Sequence, residues 1–100
     1  MKPRAALRRC LIAAAIAGLC GCAARGREVF VREGCTGCHR FQGEGGGLGP
    51  DLQGVRSRRS AASIRAQITD PGTGNPASRM PAFRHLSWLD LESLVAFLRS

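Results

Sequence analysis

The chain has no tyrosine and a single tryptophan, and aromatic residues make up only 5% of it, so it offers no platform on which nucleic-acid bases could stack. It has two methionines, one of which is Met1, and two histidines, His39 and His85, so candidates for soft metal ligation are few. No stretch alternates β-branched and polar residues, and nothing therefore reads as a strand. Long hydrophobic runs are also missing. The apolar segment Cys10 to Leu19 is about ten residues long, too short to cross a bilayer as a stable helix. There is no nucleophile–base pair and no carboxylate pair at catalytic spacing. The glycine-rich stretch Gly43 to Gly47 lacks both the Lys-Ser/Thr that would follow a phosphate loop and the strand that would precede it. These absences argue against an enzyme in its own right.

What is present begins with an export pattern. Residues 1–9 are basic and lead into the Cys10–Leu19 segment, as in a secretory leader. The segment ends in Leu19-Cys20-Gly21-Cys22, which resembles a bacterial lipobox. That resemblance implies cleavage before Cys22 and a diacylglyceryl group on its sulfur. Residues 1–21 are thus expected to be a lipoprotein-type signal peptide, 22–25 a short tether and 26–100 the folded domain. The expected location is the periplasmic side of a bacterial membrane, held by lipid.

The formal charge of +8 drops to +4 once Lys2, Arg4, Arg8 and Arg9 of the leader are set aside. The remaining arginines are scattered rather than gathered into a stripe, and no nucleic-acid partner is expected. A working unit of about 79 residues has a thin core, because roughly 25 cal/mol per Å² of burial barely offsets chain entropy at this size. A large bound cofactor would relieve that shortage. The five cysteines fit such a group. Cys10 and Cys20 leave with the leader, Cys22 takes lipid, and Cys35 with Cys38 remain.

Those last two lie in Cys35-Thr36-Gly37-Cys38-His39, the C-x-x-C-H pattern of c-type haem attachment. The spacing has a physical basis: two thiols on one helical turn can each add to a haem vinyl group, and the next residue sets an imidazole beneath the iron. A thioredoxin-like pair would need a βαβ context that these glycine-rich surroundings lack. A zinc site would have to recruit Cys22 and His85.

From Gly26 onward the ordered motifs resemble the small bacterial class I cytochrome c family. Gly26, Val29 and Phe30 are similar to its first helix. Cys35 to His39 matches its attachment site, and Gly43 to Leu52 its glycine-rich loop ending in Gly-Pro-Asn/Asp-Leu. Arg79-Met80-Pro81-Ala82-Phe83 is similar to its distal methionine loop, and Leu86 to Leu98 to its last helix. The resemblance implies an all-α cytochrome c fold, with three or more short helices and long loops around one covalent haem c and its iron. It also implies that Pro50 accepts a hydrogen bond from the non-ligating nitrogen of His39, and that Gly26, Phe30, Leu94 and Phe97 mark a close crossing of first and last helices. Met80 becomes the second axial ligand beside His39, its loop restrained by Pro76 and Pro81. His85 is the rival ligand, and would give a haem of lower potential.

Helices are expected over residues 26–33, over Ser60 to Thr69, and from an N-cap at Ser87 to the terminus, with Leu91, Leu94, Val95 and Leu98 as an apolar stripe. Residues 40–59 read as a long structureless connection whose Leu48, Leu52 and Val55 could pack on the haem. Arg58 is the candidate partner for a haem propionate, and Trp88 is expected in the core. An iron with two protein ligands has no open position for substrate. The expected function is therefore single-electron transfer between redox protein partners, with no small-molecule substrate. A tethered haem subunit of a larger respiratory oxidoreductase and a haem-based gas or redox sensor are the alternatives.

Overall fold

The computed structural model describes residues 21–100. Its first helix, α1 (Gly21–Arg32), turns Cys22, Gly26, Val29 and Phe30 to the interior at spacings of three and four, while Arg25, Arg27, Glu28 and Arg32 face solvent. The helix starts five residues ahead of the expected Gly26, so residues 22–25, anticipated as a tether, are helical. The physical reason is Cys22. It is only 3% exposed and extends the apolar stripe by one turn, which gives the backbone a reason to stay helical. Cys22 is disulfide-bonded, whereas Cys35 and Cys38 are free thiols.

After a 3-10 turn at Cys35–Gly37 the chain forms β1 (Arg40–Phe41) and β2 (Glu44–Gly45), paired antiparallel with Arg40 opposite Gly45 and Phe41 opposite Glu44. This small hairpin corrects the expectation of no strand, and it was invisible because two-residue strands carry no alternation to detect. One-turn helix α2 (Val55–Arg58) follows, so residues 40–59 are less irregular than expected. Val55 is buried in the protein core rather than held for the cofactor. α3 (Ala61–Thr69) is capped by Ser60, whose Oγ accepts from the Ser63 amide at 3.1 Å, and it buries Ile64 and Ile68 one turn apart. Pro71 opens the single turn α4 (Pro71–Gly74), which the sequence had not indicated.

The last helix, α5 (Trp88–Leu98), has Ser87 as its N-cap, with the hydroxyl accepting from the Asp90 amide at 3.1 Å. Leu91 to Val95, Phe97 and Leu98 are all buried, because α5 is covered on several sides by the rest of the chain. α1 packs on α5 more extensively than any other pair of described elements. The approach is closest at Gly26. A Cβ there would collide with the Ser93 carbonyl and lie 2.6 Å from Phe97 Cβ, so only glycine permits this crossing. Phe30, Phe41 and Phe97 meet beside it with centroids 5.1–6.1 Å apart, tying the hairpin to both helices.

Charged pairs lock the same arrangement. Asp90 at the start of α5 accepts from Arg25 at 2.8 Å and Arg32 at 3.0 Å, and both arginines hold its carboxyl below the usual range. Glu92, 4% exposed, takes a bidentate bond from Arg65 of α3 at 2.6 Å on each oxygen. Trp88 is half-buried at the first turn of α5, outside the main core cluster. Among the described residues, no helix is long and apolar enough to cross a membrane.

Candidate functional site

Glu33 and Gly34 link the end of α1 to the 3-10 turn, which carries Cys35, Thr36 and Gly37 before Cys38 and His39. The turn is closed by His39 N–H to Cys35 O at 2.8 Å. Cys35 is half-buried against the core, and this burial pushes its thiol up to about 11, while Cys38 is exposed.

The glycine-rich loop is laced onto this turn by the backbone. Gly46 N–H donates to Thr36 O at 2.9 Å, Gly49 N–H to Cys38 O at 2.7 Å and Leu52 N–H to Arg40 O at 2.8 Å. His39 Nδ1 lies 2.8 Å from Pro50 O, the pair that the family resemblance implied. With a carbonyl at Nδ1, that nitrogen must carry the proton, and Nε2 is left as a lone-pair donor. Gly49 sits flat against the same ring: a Cβ would be 2.5 Å from Cε1 and 2.7 Å from Nδ1. The glycine therefore lets the loop press on the imidazole and define its plane.

Met80 packs half-buried against the core, alongside Cys35, Leu52, Ala61, Phe83 and Leu86. Its sulfur accepts from Gln67 Nε2 at 3.7 Å, and its amide donates to Ser78 Oγ at 3.2 Å. His85 is exposed, and its Nε2 is 2.5 Å from Glu33 Oε1. Glu33 is held below the usual carboxylate range by His85 and then by Arg32, so His85 serves as a hydrogen-bond partner of Glu33, just past the end of α1. Arg58 donates to the backbone carbonyls of Gln53 at 2.6 Å and Asp51 at 3.1 Å, which braces the loop after Pro50. Sequence reasoning missed Gln67 and Glu33; nothing local marks a helix-surface glutamine as facing a sulfur thirteen residues away.

The residues present suit a haem c. Two free thiols, an imidazole oriented by a carbonyl and a thioether form its donor set. Leu52, Phe83 and Leu86 pack partly exposed against the core and Leu48 is 89% exposed, apolar surface of the kind a flat hydrophobic ring would cover. Among the described residues, no group of three or more His, Cys, Asp and Glu side chains gathers to hold a metal ion on its own.

A family model for cytochrome c matches residues 23–100. The chain is 35% identical over 84 residues to cytochrome c oxidase subunit 2 of Alkalihalophilus pseudofirmus, covering 76% of this chain and 25% of that protein. It is 36% identical over 74 residues to the lupanine 17-hydroxylase [cytochrome c] of a Pseudomonas species, with 73% and 10% covered. A nitric oxide reductase subunit of Stutzerimonas stutzeri is 33% identical over 81 residues, with 75% and 55% covered. The chain thus spans from a tenth to about half the length of these relatives. No solved structure matches significantly. With the all-α fold, the attachment turn and the oriented histidine in place, the chain belongs to the cytochrome c family, whose cofactor is a covalently bound haem c and whose chemistry is electron transfer.

Proposed function

We propose that the chain is a single-electron carrier of the cell envelope, with haem c attached through Cys35 and Cys38 and ligated by His39 and Met80. The observation that carries this reading is the His39–Pro50 contact of 2.8 Å inside a loop laced onto the C-x-x-C-H turn. It prepares one nitrogen for iron and prevents the ring from rotating. When bound, the haem supplies a one-electron couple. The protein's own residues do the rest. Cys35 and Cys38, both free thiols, would each hold the haem by adding S–H across a vinyl group, so that no atom is lost. Pro50 holds the His39 proton at Nδ1, and Met80 would supply a second protein donor to the iron, which would leave no open site for a substrate. The chain thus acts on redox protein partners and is not an enzyme by itself. Arg58 braces the loop after Pro50 through one N–H of each terminal nitrogen, and its three remaining N–H donors would be available to a propionate.

Export by residues 1–21, of which 1–20 lie outside the described residues, and a lipid on Cys22 complete the proposal, with a haem-binding domain over 26–100. Acylation uses the Cys22 sulfur that is disulfide-bonded here, so the two are alternative states of that atom. Mass spectrometry of the mature protein distinguishes them. A lipid-free mature chain would remove the anchor and leave the haem assignment intact.

A second reading, a haem-bearing subunit of a larger respiratory oxidoreductase, is favoured by the names of two relatives, one belonging to an oxidase and one to a reductase. Stoichiometric co-purification from detergent would select it. The primary test is visible absorption of the exported protein, native and after acid denaturation and solvent extraction. Retained haem with a sulfur-to-iron charge-transfer band that disappears in Met80→Ala is the expected result. Retained haem without that band in the parent removes Met80 as ligand, and extractable haem refutes covalent attachment. Rapid carbon monoxide binding at neutral pH would point instead to a sensor.

A further inference from the structure

The peptide groups after Pro50 are held one by one. The 51–52 peptide is bonded at both ends: Leu52 N–H donates to Arg40 O at 2.8 Å, and Asp51 O accepts from Arg58 Nη2 at 3.1 Å. So is the 52–53 peptide, with Gln53 N–H on Asp51 Oδ1 at 2.9 Å and Leu52 O accepting from Val55 N–H at 3.0 Å. Gln53 O takes the second Arg58 bond, from Nη1 at 2.6 Å. One guanidinium fork therefore spans the carbonyls of residues 51 and 53, and it does so from α2, whose Val55 is buried in the core. The Pro50 carbonyl lies immediately upstream and meets His39 Nδ1. Peptide planes are rigid, so fixing the 51–52 plane leaves that carbonyl little freedom to swing.

We propose that Arg58 is a positioning residue for His39: by clasping the Asp51 and Gln53 carbonyls it holds the Pro50 carbonyl on the His39 ring N–H, and so sets how strongly the imidazole donates to the haem iron. The proposal rests on His39 being an axial ligand. A firm acceptor at Nδ1 makes Nε2 a better donor. Ferric iron gains more from a strong donor than ferrous iron, so the clasp favours the oxidised state. A propionate contact through the remaining Arg58 donors acts in the opposite sense, because a positive charge near the ring favours the less positive iron. The two roles therefore separate by sign.

The test compares haem-loaded parent, Arg58→Lys, Arg58→Met and Arg56→Met by redox titration and by solvent exchange of the His39 ring N–H, followed by proton NMR in the reduced state. Lysine keeps the charge but has a single nitrogen, which cannot bridge both carbonyls. In Arg58→Lys the ferrous-to-ferric ratio at the parent's midpoint should rise by about threefold or more, and ring N–H exchange should quicken by a similar factor. Arg58→Met should quicken the exchange as well. Arg56 is exposed on the same short helix, and Arg56→Met, which removes an equal charge and spares the clasp, should keep the parental exchange rate. Parental exchange in both Arg58 variants would overturn the proposal, as would equal quickening in Arg56→Met or a ratio that stays or falls in Arg58→Lys. A reduced parent whose His39 ring protons are not displaced by the haem ring current would refute His39 ligation itself, and the proposal with it.

Discussion

Replacing Gly49 with alanine puts a methyl group into the face of His39 without touching either thiol or the imidazole itself. The added Cβ would lie 2.5 Å from Cε1 and 2.7 Å from Nδ1, where carbon contacts ordinarily settle at about 3.5–4.0 Å. The ring must therefore move by about 1 Å, or the loop must lift by as much. Movement of the ring stretches the 2.8 Å contact with Pro50, and lifting of the loop breaks the 2.7 Å bond from Gly49 N–H to Cys38 O. Either way one hydrogen bond is lost, worth about 0.5–1.5 kcal/mol net, together with overpacking of about 1–3 kcal/mol. For a domain of this size, at about 4–8 °C per kcal/mol, the sum corresponds to a fall in Tm of about 6–36 °C. Haem should stay covalently bound because Cys35 and Cys38 are intact. The assay is thermal unfolding of the haem-loaded protein by circular dichroism, with the His39 ring N–H followed by proton NMR in the reduced state. A variant that melts within about 2 °C of the parent and keeps the same ring resonance would show that the loop does not press on the imidazole.

Three further outcomes are expected. Gly26→Ala should destabilise the chain by about 1–3 kcal/mol in urea titration, despite a helix-propensity gain of about 1 kcal/mol, because its Cβ meets the Ser93 carbonyl; a net gain in stability would refute the close crossing. Arg65→Leu leaves Glu92 buried without its partner and should cost about 2–3 kcal/mol, below the figure for a wholly buried pair because Arg65 keeps 35% of its side-chain surface exposed; substituting both residues with leucine should recover most of that loss. Glu33, with its pKa lowered in the fold, adds stability that is fully present above the ordinary carboxylate range and is lost as pH falls through the lowered value. His85→Ala removes the first cause of that lowering, so acid unfolding should begin at a higher pH, and an unchanged acid limb would show that the pair contributes nothing.

Much of the architecture was legible because its signals are local. Ser60 and Ser87 announce their helices by their capping chemistry, and each hydroxyl accepts from the amide three residues on. The 88–98 helix carries its apolar residues at helical spacing, and C-x-x-C-H is chemically complete within five residues. The hairpin at 40–45 was not legible, since a pair of two-residue strands is recruited by Phe41 joining Phe30 and Phe97, an event decided far away in the chain. The start of α1 was missed because Cys22 was read for its sulfur chemistry and not as a buried residue of a helix. Arg58 was assigned to a propionate by position, and its bonds to the Asp51 and Gln53 carbonyls follow from how the loop after Pro50 curls back.

Covalent neighbours can meet in only a few ways, and so the cofactor class, the attachment turn, the helical class and the caps are all written locally in the chain. Which side chains oppose one another across the fold is a matter of packing. It is packing that brings Gly26 under Ser93, Arg65 to Glu92, His85 to Glu33, and Gln67 to the Met80 sulfur. Each of these pairs depends on the angle and depth at which the helices meet. Those are set by the summed burial of the core, and no single stretch of sequence contains them.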